Sequence, residues 1–368
     1  YLANMSTTTI TETQAQRTVP ISLEANKYPE PLTTSGALDK FNFEESTPVI
    51  GREYPTVNLV DDIINAKNAD ELIRDLAITI SERGVVFFRA QDNLTDDLHK
   101  ELVQRLGQLT NKPSASTLHI HPLLNGSNEF GVEDNEISVI SSQSHFFHDR
   151  ERDRDDRKQG AASWHSDIQF EEYPADYTSL RLTKLPSGGG DTLWASGYEL
   201  YDRYSDPYQK FFEGLTATFS GDGFLKARDA RPDHFKIYEE PRGHHENIGD
   251  TLKTSHPVVR TNPVTGWKSL FAVGNFPRRI NELSARESKE LLESFYRRIE
   301  ENHDLQVRFR WRSPNDIAFW DNRSAFHSAT NDYDGLGQRE GHRAVGIGEK
   351  PYLDPNSLSR TKALRNKN

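Results

Sequence analysis

Two rhythms of apolar residues run along the chain. Between Asp70 and Arg83, Leu72, Ile73, Leu76, Ile78 and Ile80 recur at a spacing compatible with an amphipathic helix. Gly84 stops that run, and Val85-Val86-Phe87-Phe88-Arg89 reads as a buried strand. Thr95-Asp96-Asp97 caps a second helix through Leu98, Leu102 and Leu106. From Glu136 onward strand signals dominate. Ile137 to Ile140 alternates, Tyr177 to Leu182 forms the next strand, and Gly188-Gly189-Gly190 turns the chain into Asp191-Thr192-Leu193-Trp194. Tyr198 to Tyr204 and Tyr208 to Phe212 read as helical, and Ser284 caps a long helix through Leu291, Leu292, Phe295 and Ile299. Two late strands, Leu305 to Trp311 and Asp316 to Trp320, close the pattern. Short strands separated by turns, with helices packed outside, predict a mainly β fold of the jelly-roll, cupin-like kind.

The domain plan follows from where the rhythm fails. Residues 1–52 are polar and rich in Thr, Ser and Pro, and read as an extended or disordered arm. Residues 53–352 form a single domain, and 353–368 a C-terminal tail. Two polar insertions, near 142–163 and 227–252, read as lids or disordered loops. The first contains ten successive charged residues, Asp149 to Lys158, five basic and five acidic, so it creates little net field and reads as solvated.

Composition narrows the chemistry. A formal charge of −11 on 368 residues argues against a nucleic-acid or anionic-membrane surface. The absence of cysteine excludes disulfides, zinc-thiolate sites, iron–sulfur clusters and thiol nucleophiles. No apolar run approaches a membrane span, and the expectation is a soluble cytoplasmic protein whose homo-oligomerisation stays open.

Against this background Trp164-His165-Ser166-Asp167 stands out. In an extended strand His165 and Asp167 point to one side while Ser166 faces away. Alone, His-x-Asp recurs by chance on surfaces and turns. His327, within Trp320-Asp321-Asn322-Arg323-Ser324-Ala325-Phe326-His327, supplies the distant third ligand of a two-histidine, one-carboxylate face suited to non-haem Fe(II). Such a site leaves room for a chelating 2-oxo acid, whose remote carboxylate needs a bidentate arginine. Arg339 follows His327 beyond the Gly-rich turn Tyr333 to Gly337, Thr192 offers a hydroxyl beside it, and Arg343 shares its strand face. Two guanidiniums in one pocket imply two anions, one on the co-substrate and one on the substrate. Each residue also has an ordinary reading: surface ion pairs for the arginines, a β-former beside a turn for Thr192. His244-His245-Glu246 reads as part of a solvated loop, and Trp164, Trp194 and Trp320 as core around the site.

From about Val57 to Tyr352 the chain resembles the taurine/2,4-D dioxygenase family of Fe(II)- and 2-oxoglutarate-dependent enzymes. The likeness is carried by Trp164 to Asp167, Gly189-Gly190-Asp191-Thr192-Leu193-Trp194, His256-Pro257-Val258-Val259-Arg260, Asn315 to Arg323 and His342-Arg343-Ala344. It implies a double-stranded β-helix, iron on His165, Asp167 and His327, and 2-oxoglutarate on Thr192 and Arg339. O2 would be the second co-substrate. It also implies oxidation of a small anionic substrate, a sulfonate or carboxylate, by hydrogen abstraction, with succinate and CO2 as co-products. Arg343 matches the family's sulfonate-gripping arginine, His121 a pocket histidine and Phe276 an aromatic wall. Leu124 replaces a pocket tyrosine, Ala161 a pocket asparagine and Leu225 a second aromatic. Those changes expect a site that binds an anion at one end and is more apolar at the other. His121 equally fits a half-buried structural histidine. Oxidative tailoring of an amino acid or another carboxylate is the alternative activity, and a non-catalytic cupin-like binding protein the alternative class.

Overall fold

The computed structural model of the chain describes residues 28–125, 133–144 and 164–367. Alternation along its central strands sets the architecture. In Val85–Phe88, Phe87 packs with Trp194, Phe309 and Trp320, while Val86 and Phe88 join a cluster with Leu72, Leu76 and Leu102. Ile317–Asp321 repeats the pattern, with Ala318 and Trp320 on the first side and Ile317 and Phe319 on the second. Every residue of both strands is buried, as expected when both faces of a sheet are covered.

Among the described residues the largest sheet has seven strands, in the order Glu44–Glu45, Arg52–Tyr54, Val85–Phe88, Ile317–Asp321, Ala175–Lys184, Glu340–Ile347, Ser138–Ser141. A three-stranded sheet of Gln306–Phe309, Thr192–Ser196 and Ala325–Ala329 shares the cluster containing Phe87 and Trp320. On the other side of the large sheet lie the helices Ala69–Arg83 and Asp96–Gln108. Gly84 ends the first helix at φ 74°, where a Cβ would come within 3.2 Å of Ile50, so glycine suits both the backbone and the space. Thr95 caps the second helix, and Ser284 with Glu287 forms a capping box on Ala285–Glu301. No helix among the described residues is long and apolar enough to cross a membrane.

Three polar segments are more tightly held than their composition suggests. The arm lies outside the described residues as far as residue 27, but from Tyr28 it is docked. Buried Asp75 accepts hydrogen bonds from the backbone of Ser35, Gly36 and Ala37, and Tyr28 stacks on Tyr352 at 4.9 Å. The C-terminal segment adds Leu358–Ser359 to Trp267–Lys268 and ends in the helix Arg360–Lys367, where Arg360 pairs with Glu199 at 2.8 Å. The segment 227–252 starts in the helix Asp222–Ala230 and carries buried Arg242, His244, Asn247 and Leu252. The earlier insertion lies outside the described residues between 145 and 163.

Candidate metal and co-substrate site

His327 sits in Ala325–Ala329, and an isolated bridge joins it to His165: each backbone N–H donates to the other's carbonyl, at 3.1 and 2.8 Å. That bridge brings the two imidazoles to 4.2 Å between ring centroids. The pairing ends there. Asp167 does not continue a strand but enters a turn, with its N–H on Asn322 Oδ1 at 2.9 Å and Ile168 at φ +48°. Ser166 donates to the Asn322 carbonyl at 2.7 Å. Asn322 therefore aims the carboxylate, where strand alternation alone had been expected to do so. Gly274 makes the approach feasible, because a Cβ there would stand 2.1 Å from the Trp164 carbonyl oxygen.

His165, Asp167 and His327 each place a donor atom within 4.8 Å of the others. Asp167 Oδ2 and His327 Nδ1 are buried without a hydrogen-bond partner among the described residues, an arrangement that costs free energy unless a ligand satisfies them. Burial pushes the Asp167 carboxyl up, but the Arg343 guanidinium beside it, with smaller effects from the neighbouring imidazoles, outweighs that and holds it below the usual carboxylate range. Burial, reinforced by His165, pushes His327 down to about 3, so its imidazole is neutral near pH 7. Two imidazoles and an ionised carboxylate on one face fit a divalent iron ion.

Arg339 lies just before the strand Glu340–Ile347, whose register shifts between Glu340 and Gly341. Its guanidinium is only 5 % exposed, and Nε donates to the Gly190 carbonyl at 2.8 Å while Nη2 donates to Thr192 Oγ1 at 3.1 Å. Trp311 Nε1 donates to the same hydroxyl at 3.1 Å, a contact that the sequence does not announce. Gly190 stands at φ 70°, and a Cβ there would come within 3.0 Å of Arg339 Cδ. Among the described residues no carboxylate lies at ion-pair distance from Arg339. Burial lowers its pKa, the expected response of a desolvated cation that lacks a close counterion.

Arg343 differs from its expected role as a guanidinium waiting only for a substrate. Its Nη1 donates to Asp167 Oδ1 at 2.7 Å, so it supports the carboxylate of that candidate ligand, while its Nε is buried without a partner among the described residues. His121 is buried, and its Nδ1 accepts from the N–H groups of Leu123 and Leu124 at 3.1 and 2.8 Å. Burial and the Arg343 charge push it well below the ordinary histidine value. With Nδ1 an acceptor, the neutral ring carries its proton on Nε2.

The apolar wall is Phe170, Phe224 and Phe276. Phe276 lies 6.1 Å from the His165 ring and 5.2 Å from Phe170, and Phe224 lies 4.8 Å from His121. The ring beside His121 thus belongs to Phe224, and half-buried Leu225 packs on the margin of the same cluster. Leu124 is half-buried, with Leu123 taking the core position. Ala161 lies outside the described residues. Trp320 packs 4.8 Å from His327, and Trp164 and Trp194 are buried. His244, expected in a solvated loop, is buried and stacks on Tyr173 at 3.6 Å, whereas His245 and Glu246 are exposed.

Comparison with known proteins identifies the family of the chain. Residues 42–345 match the model of the family described as taurine catabolism dioxygenase TauD, TfdA family. The chain is 49 % identical over 338 residues to the alpha-ketoglutarate-dependent dioxygenase oryG of Aspergillus oryzae, covering 92 % of this chain and 96 % of that protein. It is 31 % identical to an alpha-ketoglutarate-dependent sulfonate dioxygenase of Saccharomyces cerevisiae, covering 84 % of this chain and 67 % of that one. The crystal structure of a taurine dioxygenase from Burkholderia xenovorans shares the fold, with a TM-score of 0.61 at 23 % identity over 86 % of this chain and 92 % of that one. The chain belongs to the TauD, TfdA family and is an alpha-ketoglutarate-dependent dioxygenase, an enzyme class that works with Fe(II), 2-oxoglutarate and O2.

Proposed function

We propose that His165, Asp167 and His327 hold the iron, that Arg339 and Thr192 hold the remote carboxylate of 2-oxoglutarate, and that the substrate is an anion with an apolar chain. The two sheets around Phe87 and Trp320 are then the walls of a double-stranded β-helix. Bound iron would supply oxygen activation; the chain's residues orient the reactants. The observation that carries the reading is Arg339, a guanidinium 5 % exposed whose hydrogen bonds go to two neutral oxygens, Gly190 O and Thr192 Oγ1. A buried cation held only by neutral groups favours an incoming carboxylate, and the guanidinium fork suits two-point contact.

Arg343 supports the choice of an anionic substrate, since after its bond to Asp167 its Nε has no partner among the described residues. His121 Nε2–H is a neutral donor under the influence of the same charge. The phenyl rings of Phe170, Phe224 and Phe276 supply apolar contact for the rest of the molecule and exclude water from the reacting carbon. The yeast relative named for sulfonates fits the anionic end, and a carboxylate suits the same donors.

Purified protein with Fe(II), 2-oxoglutarate and ascorbate tests this with a panel of sulfonates, sulfate esters, carboxylates and amino acids. Substrate-dependent succinate release is expected for anions with an alkyl or aryl chain, above the level given by taurine. A best substrate that is uncharged, or taurine outperforming the longer anions, would refute the proposed pocket.

A further inference from the structure

The turn after Asp167 is strained and held from outside. Ile168 has φ +48°, a region costly for a β-branched residue, and such backbone persists only where its surroundings over-determine it. The turn closes through Glu171 N–H on the Ile168 carbonyl at 3.0 Å. Glu171 is 3 % exposed, and the guanidinium of Arg242, 1 % exposed, grips both its oxygens, Nε to Oε1 at 2.5 Å and Nη2 to Oε2 at 2.9 Å.

Arg242 comes from the segment that its composition marks as a solvated insertion. Its remaining nitrogen, Nη1, donates to the carbonyls of Tyr238 and Gly249 at 2.9 and 2.8 Å, closing that loop on itself. Asn247 adds a second clamp, exchanging hydrogen bonds with the Tyr173 backbone at 3.0 and 2.8 Å. His119 Nε2 lies 3.2 Å from Glu171 Oε1, and His256 Nε2 donates to the Glu171 carbonyl at 2.9 Å. One buried carboxylate thus joins the metal-facing turn, the 238–249 loop and the strand edge leading to His121. Among the described residues the hydrogen bonds and ion pairs of Arg242 and Glu171 do not reach Asp167 or His327, and the chemistry gives the pair no direct task.

We infer that Glu171 and Arg242 are a positioning pair that fixes Asp167 for metal binding by locking the Ile168 turn to the 238–249 loop. The inference rests on Asp167 as a metal ligand. Within it, segment 227–252 is a structural brace of the metal site. Loss of the pair lets the turn relax toward ordinary backbone, moving the carboxylate away from the two imidazoles.

The test measures Mn(II) affinity anaerobically through quenching of tryptophan fluorescence, with the metal-free thermal midpoint recorded alongside. The variants are Arg242→Lys, the apolar pair Glu171→Leu/Arg242→Met, and Asp167→Ala as control. Breaking one side of a buried pair destabilises, whereas replacing both sides with apolar residues is often tolerated. The apolar pair avoids a lone buried charge but leaves the Tyr238 and Gly249 carbonyls without Arg242, so it is expected to stay folded at the assay temperature with a lowered midpoint, and to bind Mn(II) at least about tenfold more weakly. Arg242→Lys, which keeps the charge but loses the fork, is expected to weaken binding in the same direction. Mn(II) affinity within twofold of wild type in both pair variants, with Asp167→Ala weakened, would overturn the positioning role and leave the metal site standing. Wild type that binds no Mn(II), or Asp167→Ala that binds normally, would overturn the metal assignment and the inference with it.

Discussion

His327, Thr192 and Arg343 sit on strands whose registers are fixed by paired neighbours, whereas Phe224, Arg242 and His244 come from residues 222–252, where one short helix is followed by irregular chain. The first group presents itself through backbone ladders, so the residue types can be dictated by chemistry alone. The second is held by side chains bonded to carbonyls and by ring contacts, such as Arg242 on Tyr238 and Gly249 or His244 on Tyr173. A ladder positions whatever side chain it carries; a side-chain clamp must itself be the right residue. The strand-built half carries candidate ligands of the metal and co-substrate, while the loop-built half both walls the pocket with Phe224 and, through Arg242, holds the turn after Asp167.

The sharpest break of this comparison is made in the strand-built half. His327→Ala is expected to lower Mn(II) affinity by more than about a hundredfold, beyond the 10–100-fold typical of outer-shell partners. Substrate-dependent succinate release should vanish, while far-UV circular dichroism stays at wild type, because the Ala325–Ala329 ladder uses backbone groups. Normal metal affinity in this variant would remove His327 from the site. Arg339→Gln comes next. A charge-assisted bond contributes about 1.5–3 kcal/mol, which at 1.4 kcal/mol per decade predicts roughly a 10- to 100-fold higher 2-oxoglutarate requirement. Succinate release measured against 2-oxoglutarate concentration checks it, and an unchanged requirement would pass the carboxylate to another residue.

The same division explains what could be read from the sequence. His165, Asp167, His327, Thr192, Arg339 and Arg343 were all legible as candidates, because metal and carboxylate chemistry demands particular residue types beside strand patterns. The turn at Asp167 was not, since an isoleucine is among the last residues expected at positive φ. Nor was the Arg343–Asp167 bond, which depends on where that turn delivers the carboxylate. Phe224 was hidden by helix phase: Phe224, Leu225 and Ala227 are closely spaced apolar positions on a helix of nine residues, too few to show which faces inward. The 227–252 segment was read as polar because Arg242, His244 and Asn247 are polar, and composition does not show that their partners lie in the core.

Within the loop-built half, Phe224→Ala tests the wall. The ring is half-buried against His121 and Phe170, so the fold loses little, while a bound alkyl or aryl chain loses contact worth about 1–1.5 kcal/mol at the usual value per unit of apolar area. The KM for the best substrate is expected to rise roughly tenfold, with the 2-oxoglutarate requirement unchanged. A shift in both would show that the wall and the strand-built half are not separable. Leu225→Ala, on the margin of the cluster, should do less.

Acid should separate the two halves most gently. His119 and His256 meet at Glu171, where the 238–249 loop is clamped, and burial lowers both, His256 to about 4. His121 and His244, also lowered chiefly by burial, flank the same seam. Opening the loop returns His244, and His119 where it meets Glu171, toward the ordinary histidine value of about 6.5 and lets them bind protons. A histidine depressed in the closed state stabilises closure fully above that open-state value. The stabilisation is then lost as pH falls toward the closed-state value. Between pH 7 and 5.5 the closed loop should therefore weaken, because the opened form binds protons more readily. Hydrogen-exchange mass spectrometry of the metal-free protein at the two pH values, expressed as protection factors, compares peptides from 231–252 with peptides from 317–329. The loop peptides are expected to lose protection before the strand peptides respond. Within the strand peptides, His327 is likewise neutral and buried, but the ladder around it opens only with the sheet. Equal loss in both sets of peptides would mean that the loop and the sheet open as one unit, and the division between a ladder-built and a clamp-built half would fail.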